Sequence, residues 1–436
     1  MGVRYPINVP ERCPFTLQNI PFGIFSLEDT QDQESTLRAG SAIGDFVLDL
    51  HTLAQYGGFE AVGISRSSVN VFSGPNLNSF AALPAADRAR VRLLIIDLLS
   101  QGESMLFQNA ELNNKAFILK DHVSMHVPMA ITDYSDSFGS LIHANNTLGP
   151  FGFPMPQSWF HYPMAYNGRT GGVEVSGNDI IRPSGLFPDP ITGKVILQPS
   201  RQLDFEIGIG MFVGKPVEKG ETITAQEASD HIFGLVLHND WSARDHQKFE
   251  MAPLGVFHSK SFSTSISPWV VTLDALQACV APPPPSNLTE IHPMLRCDDK
   301  NTGMFDVDLP ATVSRNGGLG VEITRSNHKD EYWSLTQMLA YHSLNGCGLK
   351  TGDLISTGTI SSPQHDSGAQ DRGPATNGCL TEVFALGNTL PEVGGKPMSW
   401  LEDGDRLTIE GWFRARDGTQ AGFGPLTSLI RPAQCW

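Results

Sequence analysis

Among the polar residues between 206 and 260, five could act together: the carboxylates Glu206 and Asp240, the guanidinium Arg244, the carboxamide Gln247 and the ammonium Lys260. Glu206 lies in a stretch, 203–213, that alternates with period two, as a half-buried strand does. Its apolar face would hold Leu203, Phe205, Ile207, Ile209, Met211 and Val213. The opposite face carries Asp204, Glu206, Gly208 and Gly210, and small glycines beside a carboxylate leave room for something other than side chains. An apolar run from Ile232 to Leu237 predicts a second strand ending near Asp240. A short helix after it would put Arg244, Gln247 and Met251 on one side. The five polar groups could therefore converge at strand ends. Equally, Glu206 and Asp240 could be solvated, or could pair with Arg244 and Lys260 for packing alone. A second cluster lies upstream. Asp136 and His143 are seven residues apart, two turns if that segment is helical, and so on one face. A lone histidine so placed is more often a satisfied structural residue than a catalyst.

The elements around these groups read as mainly β. Pro21–Ser26 predicts a strand, and Ala42–Leu50 predicts two short strands about a turn at Gly44-Asp45. Pro84–Leu99 predicts a helix, with Val91, Leu94, Ile95, Leu98 and Leu99 at helical spacing. Nothing before about residue 120 carries chemistry, so a small barrel-like domain is expected there.

Composition sets the frame. The chain has 436 residues, 40% of them hydrophobic, with 43 glycines and 30 prolines. That length points to two domains, and that glycine and proline content to many turns. A net charge of −16 argues against nucleic acid or an anionic membrane as partner. It does not exclude a small acidic substrate, which local cations such as Arg244 and Lys260 could hold. No apolar run approaches a membrane span, and no secretory pattern opens the chain. The six cysteines form no CxxC pair, so reduced, mostly buried thiols in a cytoplasmic protein are expected. Cys379 falls close in sequence to Glu382.

Several segments together resemble the fumarylacetoacetase (fumarylacetoacetate hydrolase) family. They are Asp136 to His143, Tyr166-Asn167-Gly168-Arg169, Asp204-Phe205-Glu206, Asn239-Asp240-Trp241-Ser242-Ala243-Arg244-Asp245 and Ser356-Thr357-Gly358-Thr359-Ile360-Ser361. His342 to Cys347 and Asp403-Gly404-Asp405 follow suit, and the similarity covers nearly the whole chain. The NDWSARD run is the most specific of these; the Asp-Gly-Asp turn alone is weak. The resemblance implies an N-terminal SH3-like barrel over residues 1–125 and a C-terminal β-roll catalytic domain over 126–436. It implies a homodimer that cleaves a carbon–carbon bond in a 1,3-dicarbonyl acid, with Mg²⁺ or Ca²⁺ as cofactor. It places Asp136, Glu206 and Asp240 on the metal, His143 as general base, and Glu382 as the carboxylate orienting it. Arg244, Gln247 and Lys260 would hold the oxyanion and the substrate carboxylate. Lys260 and Thr264 would lie near a second, structural metal, while Tyr166 and Thr359 would touch substrate.

Departures from the family pattern are as informative. A second metal-binding Glu, expected two residues after Glu206, is Gly208. Mg²⁺, which keeps several waters, tolerates that loss better than Ca²⁺, and Gly208→Glu should then tighten metal binding. Two substrate-binding tyrosines are Phe138 and Met251. The stretch from Ala144 to Asn167 has no Arg or Lys, so an expected arginine is absent, and Ser263 stands for a glycine. The pocket should be less polar at its far end and should accept an altered substrate. Two insertions read as a rigid linker (Pro282 to Pro285) and a lid (Ser361 to Gly378). Three functions remain: a metal-dependent hydrolase of a dicarbonyl or keto acid; a biosynthetic enzyme of the same fold performing decarboxylation, isomerisation, dehydration or carbon–carbon bond formation through enolate chemistry at a metal; or a non-catalytic binder. The His143–Glu382 pair speaks against the last.

Overall fold

Apolar residues at alternate positions close the N-terminal region into a five-stranded antiparallel sheet. Its strands are β1 (Phe22–Leu27), β2 (Arg38–Ile43), β3 (Phe46–Asp49), β4 (Phe117–Leu119) and β5 (Val123–His126), in the order β4-β3-β2-β1-β5. The β2–β3 turn sits where Gly44-Asp45 predicts it, with Gly44 in the left-handed region at φ 55°. Helix α1 (Ala85–Ser100) begins directly after Pro84 and buries Val91, Ile95 and Leu99. The structure is a computed structural model that describes residues 2–28, 37–67, 69–150, 152–282, 291–297, 303–364 and 375–434.

The C-terminal region is built on a seven-stranded mixed sheet. In chain order its strands are β6 (Tyr134–Ser137), β7 (Ala165–Asn167), β8 (Val173–Val175), β9 (Ile207–Val213), β10 (Ile232–Asp240), β11 (Thr264–Ile266) and β12 (Leu354–Ser356), arranged β7-β6-β12-β9-β10-β11-β8. A second sheet, centred on Asp308–Arg315 and Asp405–Ile409, packs with it around the larger core to complete a β-roll. The protein is thus mainly β, as its turn-rich composition predicts.

One expectation needs correction. The stretch 203–213 is not one half-buried strand. Leu203–Asp204 pairs with Ser242–Ala243, and every residue of β9 is buried. Ile207, Ile209, Met211 and Val213 enter the large core, while Phe212 joins the core beneath the N-terminal sheet. A second domain covers the face that solvent was expected to cover. The two regions exchange backbone hydrogen bonds, Phe22 N to Val270 O at 3.0 Å and the reverse at 2.7 Å. Arg88 of α1 adds a donor to Ile232 O at 3.0 Å.

Cys13, Cys279, Cys297 and Cys379 are buried and Cys347 exposed, all as free thiols. Among the described residues no helix is long and apolar enough to cross a membrane. Most of the expected linker, from Pro283, and residues 365–374 of the expected lid lie outside the described residues.

Candidate active site

Strand register brings three acids together. β12 runs parallel to β6 with Ser356 opposite Asp136, and β9 pairs with β10 so that Ile207 faces Asn239. Asp136, Glu206 and Asp240 consequently meet at the strand ends. All three are buried, and one oxygen of each lies within 4.8 Å of the others. Ser356 Oγ donates to Asp136, Tyr166 OH donates to Asp240, and Thr264 Oγ1 reaches Asp240 Oδ1 at 3.3 Å. Two cations flank the cluster. Lys260 Nζ lies 2.7 Å from Glu206 and 2.9 Å from Asp240. Arg244 Nη2 approaches Glu206 at 2.8 Å, an ion pair rather than an aligned hydrogen bond.

The charges do not balance. Burial would raise Glu206, but Lys260 and Arg244 overcome it and hold the carboxyl well below its usual range. Asp136 is pushed well up by burial and by neighbouring Asp240. Ionised together, the three carboxylates would carry more negative charge than Lys260 and Arg244 cancel; as hard oxygen donors they fit a hard divalent ion. Behind them Tyr134 OH and His238 Nε2 are 2.8 Å apart. Burial lowers His238 to about 4, so this buried pair is neutral.

Asp136 and His143 do not share a helix face, contrary to expectation. Asp136 is in β6, and His143 is the third residue of α2 (Leu141–Leu148). Ser140 caps α2, its Oγ accepting from His143 N at 3.3 Å. The imidazole Nδ1 lies 2.6 Å from Glu382 Oε1, and both side chains are buried. Glu382 also accepts from Asn146 Nδ2 at 2.7 Å and Ser361 Oγ at 2.6 Å. Burial alone would raise Glu382, but His143 and these donors outweigh it and keep the carboxyl low. An ionised Glu382 can only accept, so Nδ1 carries a proton, and the tautomer this fixes for a neutral ring has its lone pair on Nε2. Phe138 packs edge-on against the imidazole at 5.2 Å.

The remaining predicted residues divide in two. Helix α3 (Arg244–Glu250) presents Arg244 and Gln247 as expected, and Arg244 bonds protein groups through Nε and Nη1. Its Nε donates to Asp204 at 2.8 Å and its Nη1 to Gln247 Oε1 at 3.0 Å. It holds other site residues in place. Thr359 Oγ1 is buried without a partner among the described residues, an atom free for a ligand. Met251 ends α3 and is 43% exposed, at the rim. A Cβ at Gly208 would meet Gly358 O at 2.9 Å and His238 Nδ1 at 3.2 Å. The expected Gly208→Glu gain is therefore blocked unless the backbone shifts.

Asp204 went unassigned in the sequence reading. Besides Arg244 it accepts Leu380 N at 2.8 Å and Thr381 N at 3.0 Å, so it joins α3 to helix α4 (Leu380–Ala385), which carries Glu382. Only its place beside Glu206 pointed to it. Asn146 gave no signal and Ser361 only its place in the Ser356–Ser361 motif, with no role attached, because their target is reached through the fold.

This is a β-roll with a buried carboxylate cluster and an adjoining His–Glu pair, a hydrolase architecture of the metal-assisted kind. The model "Fumarylacetoacetate (FAA) hydrolase C-terminal" matches residues 140–431, and "Fumarylacetoacetase N-terminal" matches 18–128. The chain is 40% identical to fumarylacetoacetase of Arabidopsis thaliana and 37% identical to that of Homo sapiens, over 98% of both chains in each case. Among solved structures, fumarylacetoacetate hydrolase from Exiguobacterium antarcticum aligns at TM-score 0.51 and 18% identity, covering 95% of this chain and all of that one. The chain belongs to the fumarylacetoacetate hydrolase family, and with it to the hydrolases that act on carbon–carbon bonds.

Proposed function

We propose that the protein hydrolyses a carbon–carbon bond in a 1,3-dicarbonyl acid closely related to fumarylacetoacetate, with His143 as the base. The single observation that carries this is the 2.6 Å His143–Glu382 contact beside three buried carboxylates. Its support is identity to curated fumarylacetoacetases over nearly the full length, which favours hydrolysis over the other reactions the fold could serve.

Nε2 of His143 takes a proton from water, and the oxygen adds to the carbonyl carbon. Lys260 and the Gln247 amide, fixed by Arg244, face the developing oxyanion. The carbon–carbon bond then breaks, its electron pair leaves as an enolate, and the imidazolium returns the proton to carbon. Asp136, Glu206 and Asp240 would hold a divalent ion, Mg²⁺ in preference to Ca²⁺, which would withdraw electron density from the two diketone oxygens. Tyr166 and Thr264 fix Asp240, and Thr359 is left to bind substrate. Phe138 and Met251 make the far end of the pocket less polar.

We also assign residues 1–125 to the supporting domain and 126–436 to the catalytic one. The protein is read as a cytoplasmic homodimer without nucleic-acid or membrane partners, in keeping with its net charge of −16. An apolar surface supports the dimer. The hairpin Ser184–Pro188/Val195–Pro199 exposes Leu186, Val195, Ile196 and Leu197, and adjacent α3 exposes Phe249.

Dialysis against a chelator followed by Mg²⁺ restoration tests the reading. Turnover should vanish and return. On fumarylacetoacetate the efficiency should fall below about 10⁴ M⁻¹s⁻¹, with a less polar diketo acid faster. Undiminished turnover in the chelated protein would remove the metal from the reaction.

A further inference from the structure

We propose that His143, Cys379 and Glu382 form a second metal site, for a thiophilic divalent ion such as Zn²⁺ or Cd²⁺, whose occupation switches the imidazole off. The switch rests on the reading of His143 as base; the site itself does not. One ligand atom from each residue lies within 4.8 Å of the other two. Cys379 Sγ is 3.6 Å from Glu382 Oε1, and His143 Nδ1 is 2.6 Å from the same oxygen. A tetrahedral ion with bonds of about 2.3 Å to sulfur and about 2.0 Å to nitrogen and oxygen sets S···O near 3.5 Å and N···O near 3.3 Å. The sulfur–oxygen spacing already fits. The nitrogen–oxygen pair must open by roughly 0.7 Å on the same geometry.

Donor type separates this site from the neighbouring one. Asp136, Glu206 and Asp240 offer oxygen only, suited to hard ions, whereas sulfur with imidazole nitrogen selects softer ones. A thiolate, a carboxylate and a dication sum to zero charge, which a buried site tolerates. Asn377 Nδ2 donates to the other Glu382 oxygen, Oε2, at 3.3 Å, which leaves Oε1 to the site. Binding releases the Cys379 thiol proton to solvent. It also replaces the proton on His143 Nδ1, so the ring proton resides on Nε2. That removes the lone pair the base requires, and no electrons change hands.

The test uses the Mg²⁺-saturated protein. Titration with Cd²⁺ is followed by thiolate-to-cadmium ultraviolet absorption, as the difference between wild type and Cys379→Ser. One equivalent of absorption, retained in Asp136→Asn, is expected. Zn²⁺ should inhibit wild type with a midpoint that tenfold more Mg²⁺ leaves unchanged, and Cys379→Ser should raise that midpoint at least tenfold. No difference band, or inhibition relieved by Mg²⁺, overturns the proposal. A band without inhibition keeps the metal site and overturns the role of His143 instead. Should Cys379→Ser fail to fold, cadmium-113 resonance of the wild-type protein decides. A mixed sulfur–nitrogen–oxygen shift supports the site, and an all-oxygen shift overturns it.

Discussion

On the proposed mechanism, His143 works through Nε2, the nitrogen that Glu382 does not hold. His143→Ala should lower kcat by roughly 10²–10⁴-fold while Mg²⁺ affinity, read by titration calorimetry, stays unchanged. Glu382→Gln should give a smaller loss of the same kind, since an amide can still accept at Nδ1 but supports the imidazolium less. Glu331 is a different case. It is fully buried, and neither carboxyl oxygen has a hydrogen-bond partner among the described residues. Burial, then Asp330, pushes it well above the usual carboxyl range. The folded state therefore keeps a proton that the unfolded state releases above about pH 4.3. Its contribution is intact below that pH and is lost as pH rises towards the folded value. Glu331→Gln should raise the Tm at pH 8 and leave it unchanged at pH 4. The acids at 136, 206 and 240 were legible because neighbouring motifs marked them. Glu331 was not, since His328-Lys329-Asp330-Glu331 reads locally as a solvated charged run.

At the scale of elements, the Asp136–His143 segment shows why spacing alone misled. Tyr134-Ser135-Asp136-Ser137 is polar on both faces, yet it is a buried strand whose polar atoms belong to the site. Residues 138–140, outside any helix or strand, then lead the chain into α2. Periodicity assumes one solvated face, and here there is none. Strand β9 repeats the lesson: its alternation is real, but both faces are covered. Gly208 belongs to this scale because its neighbour is backbone. Gly208→Ala should destabilise by about 1–3 kcal/mol through overpacking against Gly358 O, measured by denaturant melts. Gly208→Glu should not tighten Mg²⁺ binding; a tighter isotherm would show that the Gly358 carbonyl yields.

Across the whole molecule, the packing of the N-terminal sheet and part of the seven-stranded sheet into one core was not legible from the family motifs. Phe22 and Phe80 pack on Phe233 across the junction, Phe80 edge-on with centroids 5.8 Å apart and Phe22 tilted at 6.5 Å. The N-terminal sheet is thus half of a shared interior rather than an appendage. The exposed apolar hairpin is the other feature at this scale. Leu197→Glu places a charge on the surface assigned to the dimer and should convert it to monomer in light scattering. An unchanged mass would move the interface elsewhere.

Strand β12 has one more consequence. It sits between β6 and β9, yet it is the last of the seven to be synthesised. On a ribosome, more than a hundred residues of β6–β9 sequence and its successors emerge before the strand that joins them. Until then two strand edges lie open towards each other with unpaired backbone groups, a template for pairing with another nascent chain. Glu382 emerges later still. The edges that β12 joins therefore stay open for about half of the chain's synthesis, and the proposed His143–Glu382 pair cannot form until the segment after β12 has emerged.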